Sequence, residues 1–150
     1  MKSNLICINC HAPLYEAKAL MKEHRIRHLP VTNHKNEIIG IFTERDLIGT
    51  DRFQELPVEL FASKHIEYFS FETPLRTVAL KMLEKKISCV LLTDEKKEVS
   101  GILTTDDLIF HLAELLRKED NHDKWIDKFQ TLPLIETVGE LSRKLADIGI

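Results

Sequence analysis

Shifting the sequence by 61 positions lays it over itself without a gap. Pro13 falls on Pro74, Leu14 on Leu75, Met21 on Met82, Ile26 on Ile87, Gly40 on Gly101, Thr43 on Thr104 and Asp46 on Asp107. Over the 36 positions of the window 13–48, 14 are identical, where chance gives about two on average amino-acid usage. A duplicated text implies a duplicated fold, at a length where each copy is a small supersecondary assembly. Two like copies in one chain also imply a pseudo-twofold axis and two equivalent sites.

At 150 residues the chain can bury about 70% of the surface its unfolded form exposes, enough for one substantial core or two shared small ones. With 21 basic residues against 24 acidic, a net charge of −3 and no basic run, a nucleic-acid partner held by bulk electrostatics is not expected. The longest apolar runs, such as 38–42 and 89–92, fall far short of the roughly 20 residues a bilayer span needs. The first residues lack a long apolar segment followed by a small-residue cleavage site. Cys7, Cys10 and Cys89 make no even disulfide set, which fits a reducing compartment. The expectation is a cytoplasmic protein without a membrane partner.

Within the first copy, a strand is expected over 5–8, then a helix from Pro13, where a missing N–H is tolerated, carrying Leu14, Ala17, Leu20 and Met21 at helical spacing. Residues 28–32 and 37–42 read as the strands of a hairpin around the polar turn 33–36. Gly40 inside the second strand implies close approach by backbone or ligand. Thr43 opens a further helix, cut near Gly49. The second copy repeats each step, with strands over 66–71, 88–92 and 99–103, a helix from Pro74, and a last helix from Thr104 whose apolar face runs on through Leu112, Leu115 and Leu116. A connecting turn and short helix fill 56–64. Beyond these, helices are expected over 124–129, where Trp125, Ile126 and Phe129 make a small apolar face, and over 138–148, where Thr137 and Glu140 have capping-box spacing. The copies are placed at 1–62 and 63–120, with a C-terminal helical extension over 121–150.

Each copy passes from strand to helix through one pattern: Gly40-Ile41-Phe42-Thr43-Glu44-Arg45-Asp46-Leu47, and Gly101-Ile102-Leu103-Thr104-Thr105-Asp106-Asp107-Leu108. Thr at an N-cap sets a hydroxyl and free amides at the positive end of a helix, where phosphate is favoured. Asp three residues on lies at the same mouth and can accept hydrogen bonds from vicinal ribose hydroxyls. The same spacing also serves plain capping, in which the carboxylate returns to the N-cap amide. Spacing alone does not separate the two readings.

The whole arrangement, a helix, a buried hairpin with its Gly, then Thr-x-x-Asp, twice in one chain, resembles the CBS domain family, and the pair resembles a Bateman module. The likeness rests on His24-Arg25-Ile26-Arg27-His28-Leu29-Pro30-Val31 with 40–47, and on 87–93 with 101–108. It covers about 5–116. It implies an α/β fold of two βαββα repeats packed about a pseudo-twofold axis with two clefts between them. It further implies a regulatory module without enzymatic activity, binding adenosine-containing nucleotides such as AMP, ADP or ATP, or a related adenosyl ligand, and passing that state to a homodimer partner or an effector protein. No cofactor is required, and the adenine nucleotide is the regulatory ligand. Carried over by position, Thr43 and Thr104 would meet phosphate, Asp46 and Asp107 ribose, and His28, Leu29, Pro30, Cys89, Val90, Leu91, Ile41 and Ile102 the adenine. Residues just ahead of the first helix of each copy, 9–12 and 70–73, are further candidates.

The copies differ where charge matters, since Arg45 corresponds to Asp106. Arg pairs with phosphate and Asp repels it, so the Thr43/Asp46 site is expected to be the better nucleotide binder. Two other readings stand beside this one. In the first, the module is structural, with empty clefts and assembly through its C-terminal helices. In the second, Cys7, Cys10, His24 and His28 bind zinc, having the spacing of a Cys-x2-Cys, His-x3-His site. Cys7-Ile8-Asn9-Cys10-His11 also matches the c-type haem pattern, but attachment of that kind needs export. Cys89, in an expected buried strand, reads as inert packing.

Overall fold

The computed structural model describes residues 5–119, with side chains to 117. Copy one consists of β1 (Ile8–Asn9), α1 (Leu14–His24), β2 (His28–Thr32), β3 (Ile38–Thr43) and a single 3-10 turn (Glu44–Leu47). Copy two consists of β4 (Tyr68–Ser70), α2 (Leu75–Lys85), β5 (Cys89–Thr93), β6 (Val99–Thr104) and α3 (Thr105–Glu119). Between them lies a second 3-10 turn, Val58–Leu60. Each copy runs βαββ and closes on a helical element, a 3-10 turn in copy one and α3 in copy two, with a parallel first pair of strands and an antiparallel second pair in sheets ordered β1-β2-β3 and β4-β5-β6. The expected helices over 124–129 and 138–148 lie outside the described residues.

The repeat holds down to single dihedrals. Arg25 and Lys86 end α1 and α2 in the left-handed conformation at φ 53° and 54°, and Asn36 and Lys97 adopt it in the hairpin turns at 60° and 63°. In each turn one side-chain oxygen organises the loop: Asn33 Oδ1 accepts from the amides of Lys35 and Glu37, as Asp94 Oδ1 does from Lys96 and Glu98. Such Asx turns need only a short polar side chain at the first turn position. The β-bulges fall at Val31/Thr32 and at Leu92/Thr93, again 61 apart.

Each copy has its own core. In the first, Leu14, Ala17 and Met21 of α1 face Leu29, Val31 and Phe42 of the sheet, the helical spacing supplying one apolar stripe. In the second, Val78 and Met82 of α2 pack on Val90. The first core is larger because the connecting segment returns over it. Leu14 N donates to Leu56 O at 3.0 Å, Val58 N to Ala12 O at 2.9 Å, and Ile41 and Ser63 exchange amide bonds at 2.8 and 2.9 Å. Val58 is fully buried there, and Leu14 is 0% exposed while its counterpart Leu75 is 43% exposed. Gly40 is the point of close approach: a Cβ would stand 3.1 Å from Ser63 O and 3.3 Å from Ala62 Cβ. The approaching group is therefore backbone of the connecting segment.

β1 and β4 are shorter than the windows 5–8 and 66–71, because they exist only where they pair with β2 and β5. Thr43 opens one 3-10 turn of four residues instead of a longer helix. Gly49, at φ +77°, then turns the chain away, and Thr50 is buried with its hydroxyl on Leu47 O at 2.7 Å. No helix among the described residues is long and apolar enough to cross a membrane.

Candidate functional site

The two strand-to-helix corners are superimposable in their bonding. Asp46 Oδ2 accepts from Thr43 N at 2.7 Å and from Thr43 Oγ1 at 2.9 Å. Asp107 Oδ2 accepts from Thr104 N at 2.8 Å and from Thr104 Oγ1 at 2.6 Å. Both carboxylates thus cap their own corner, as Thr-x-x-Asp spacing allows. Both do so through one oxygen. Among the described residues Oδ1 of each accepts no hydrogen bond, and a carboxylate oxygen carries two acceptor positions. Capping therefore fixes the orientation of the carboxylate and leaves one oxygen with capacity for a pair of hydroxyls.

The corner amides are less open to an anion than the sequence implies. The next N–H along is used internally, Glu44 N donating to Arg27 O and Thr105 N to Ser88 O, both at 3.0 Å. The threonine hydroxyls give their protons to Asp. In copy one the four-residue 3-10 turn adds little macrodipole, since that effect grows from aligned peptides over a longer helix. There, charge for an anion must come from side chains.

Each corner faces a cleft walled by the other copy. The first cleft, about 320 Å³, joins Thr43, Arg45 and Asp46 of copy one to Lys86, Ser88 and Cys89 of copy two. The second, about 300 Å³, joins Thr104, Asp106 and Asp107 of copy two to Arg25, Arg27 and His28 of copy one. That reciprocity is what a twofold relation between repeats produces. Both volumes fall at the lower end of the range of small-molecule sites.

The electrostatics differ. In the second cleft Arg27 is ion-paired to Asp106, with Arg27 Nε also on Asp106 Oδ2 at 3.1 Å. That hydrogen bond and the Asp106 charge hold the Arg27 pKa above its ordinary value. In the first cleft, Glu67 is taken by Lys85, and among the described residues no ion pair holds Arg45 or Lys86. Arg45 Nη2 instead donates to Ser88 Oγ at 3.2 Å, and the same hydroxyl lies 2.8 Å from His28 Nε2. Ser88 therefore touches one group from each cleft. Burial pushes the His28 pKa down, and the Arg27 charge adds to the shift. Burial also pushes the Cys89 thiol up to about 11.

Of the residues singled out in the sequence, Ile41, Thr43, Arg45, Asp46, Cys89, Val90 and Leu91 line the first cleft, and His28, Ile102, Thr104 and Asp107 the second. Leu29 and Pro30 are fully buried and line neither. The stretches 9–12 and 70–73 line neither as well. Sequence reasoning missed Arg25 and Lys86, the left-handed residues that bring each helix to its next strand. Their signal was present as two basic side chains 61 positions apart.

The cysteine–histidine set does not assemble. Asn9 pairs with Thr32 in the parallel register, so Cys10 lies level with position 33, five residues past His28 and about 16 Å away at strand rise. His28 turns to Ser88, and His24 is exposed at the end of α1. The group of metal-competent side chains found together among the described residues is Cys10, His11 and Glu59.

Comparison with known proteins identifies the repeat. The family model described as CBS domain matches residues 1–51 and 58–114. The chain is 26% identical over 103 residues to the L-aspartate semialdehyde sulfurtransferase of Methanocaldococcus jannaschii, covering 69% of this chain and 20% of that protein. It thus spans about a fifth of the length of such curated relatives. Among solved structures, a CBS domain pair in complex with 5′-methylthioadenosine and S-adenosyl-L-methionine is 25% identical, with TM-score 0.61 and coverage of 73% of this chain and 93% of that one. The CBS domain of a bacterial CNNM/CorC family Mg2+ transporter in complex with ATP, 20% identical, shares the fold at TM-score 0.62, covering 71% of this chain and 77% of that one.

Proposed function

The chain belongs to the CBS domain family as a tandem pair, and from that premise we propose that it is a regulatory module binding an adenosine-containing ligand in the clefts between its repeats. Adenosyl ligands are what the two solved pairs named above hold. The observation on this chain that carries the reading is the free Oδ1 of Asp46 and of Asp107, each fixed by its capping bonds at the rim of a cleft. A carboxylate locked in place before the ligand arrives loses little freedom on binding. Ile41 and the β5 start would receive the base in the first cleft, with Arg45 and Lys86 on a phosphate or on the carboxylate of a sulfonium ligand. The first cleft is the better anion binder, because among the described residues no ion pair holds Arg45 or Lys86, while Arg27 of the second is held by Asp106.

A division at 1–62, 63–120 and 121–150, a homodimer, a cytoplasmic setting and an effector protein all belong to this reading. The same capping bonds favour a second one, a structural module whose corners satisfy themselves. Thermal unfolding of the chain with AMP, ADP, ATP, S-adenosylmethionine, 5′-methylthioadenosine and NAD separates them. A ligand at 100 times its dissociation constant stabilises the native state by about 2.7 kcal/mol, a rise of several degrees for a chain this size. A flat response to every ligand supports the structural module.

A further inference from the structure

We propose that copy one carries a divalent-metal site of the zinc class, independent of the clefts, formed by Cys10, His11 and Glu59. One ligand atom from each lies within 4.8 Å of the other two, and His11 Nδ1 is 3.3 Å from Glu59 Oε1. Two ligands on one tetrahedral zinc are about 3.4–3.8 Å apart, given metal–ligand bonds of about 2.0–2.3 Å. The nitrogen–oxygen edge is already at that spacing. The sulfur has at most about 1 Å to close, within reach of a side-chain rotation.

The backbone that carries these groups is clamped. Glu59 N donates to Cys10 O at 3.1 Å, Val58 N to Ala12 O at 2.9 Å, and Cys10 N to Thr32 O at 2.8 Å. Asn9 Oδ1 accepts the His11 amide at 3.0 Å and so fixes the turn from which the imidazole projects. Cys10 is 2% exposed, which places the soft ligand on the protein side, while His11 and Glu59 reach it from the solvent side. Sulfur, imidazole and carboxylate together suit a borderline cation such as Zn2+ far better than Mg2+ or Ca2+, which prefer oxygen alone. Three protein ligands leave the fourth position to water, and the His34 ring stacks on that of His11 with centroids 6.0 Å apart.

The site belongs to copy one alone. The repeat places Phe71 and Glu72 where copy one has Cys10 and His11, so the duplicated fold does not demand it. Glu59 comes from the connecting segment that crosses copy one. A bound ion would join that segment to the turn ahead of α1, adding a cross-link where the two are held by backbone bonds.

The test is a titration of the untagged, reduced full chain with Zn2+ in competition with a chromophoric chelator, and with Co2+ as the spectroscopic probe. The expected result is one equivalent bound, a thiolate-to-cobalt charge-transfer band, and at least a tenfold loss of affinity in His11→Ala and in Glu59→Gln. Both residues are solvent-facing, so their variants should melt like the parent without metal, and Cys10→Ala should lose the charge-transfer band. Cys7→Ser and His24→Ala should bind as the parent does. Failure of the parent to compete with the chelator, or parental affinity in both His11→Ala and Glu59→Gln, overturns the proposal.

Discussion

Arg27, from the first copy, is ion-paired with Asp106 of the second, 79 positions along the chain. The pair sits at the second cleft and neutralises one of the two arginines that line it. Both side chains are about half exposed, so the bond contributes little to stability. Its consequence is for binding. Asp106→Asn should leave unfolding free energy within about 0.5 kcal/mol of the parent and raise the affinity of the second cleft for phosphate-bearing ligands several-fold. Calorimetric titration of the parent and the variant checks this, and unchanged affinity would show that Arg27 does not reach the ligand.

His28 makes stability depend on pH. Its folded pKa is lowered by burial and then by Arg27, so between that value and the unfolded pKa near 6.5 the unfolded chain binds a proton that the folded chain refuses. Stability therefore rises with pH through this window and falls as the pH drops from about 6.5. One such proton gives a slope of at most about 1.4 kcal/mol per pH unit. Urea unfolding of His28→Asn should show a shallower slope over the same window than the parent. An identical slope would remove His28 as the source.

Cys89 should be a slow thiol although it borders a cleft. With its pKa near 11 against an ordinary 9.0, the thiolate fraction at neutral pH is about 100-fold smaller than that of a free cysteine, and thiolate is the reactive form. Peptide-resolved alkylation at pH 7.5 should find Cys89 labelled on the order of 100 times more slowly than a model thiol. A rate equal to the model thiol would mean the β5 start is open to solvent.

Gly40 and Gly101 occupy equivalent positions with different neighbours. A Cβ on Gly40 meets the carbonyl of Ser63, whereas on Gly101 it meets the ring edge of Phe71 at 3.4 Å. Backbone cannot give way cheaply and an exposed ring can. Gly40→Ala should destabilise by about 1–3 kcal/mol, and Gly101→Ala by under about 1 kcal/mol, offset by the entropy it removes from the unfolded chain. Chemical denaturation of both variants is the comparison, and equal losses would contradict the described path of the connecting segment.

The duplication made most of this fold legible. Helices, hairpins, Asx turns and Thr-x-x-Asp corners are local, so a 61-residue offset carries each from one copy to the other. What the sequence does not encode locally is which wall faces which corner. His28 was legible as a strand residue near a ligand, but although its register partner in the sheet is Thr43 it lines the second cleft with Thr104 and Asp107, which depends on how the copies pack. Leu29 and Pro30 are consecutive in β2 and so face opposite sides of the sheet, yet both are buried, which a short apolar run does not reveal. Glu59 was invisible as a partner of Cys10 and His11, because only the returning segment brings it there. Capping and ligand binding also share one sequence pattern, and the structure shows the cap using a single oxygen, Oδ2, of each carboxylate.

The central claim is that Asp46 and Asp107 are ribose acceptors as well as caps. Isothermal titration of the parent, Asp46→Ala, Asp107→Ala and the double variant with ATP and S-adenosylmethionine tests it most directly. Each single variant should lose about 0.5–2 kcal/mol of stability from the missing cap. Binding should fall unequally, with Asp46→Ala abolishing the tighter event, Asp107→Ala the weaker, and the double variant retaining neither. Parental affinity in a folded double variant would contradict the account.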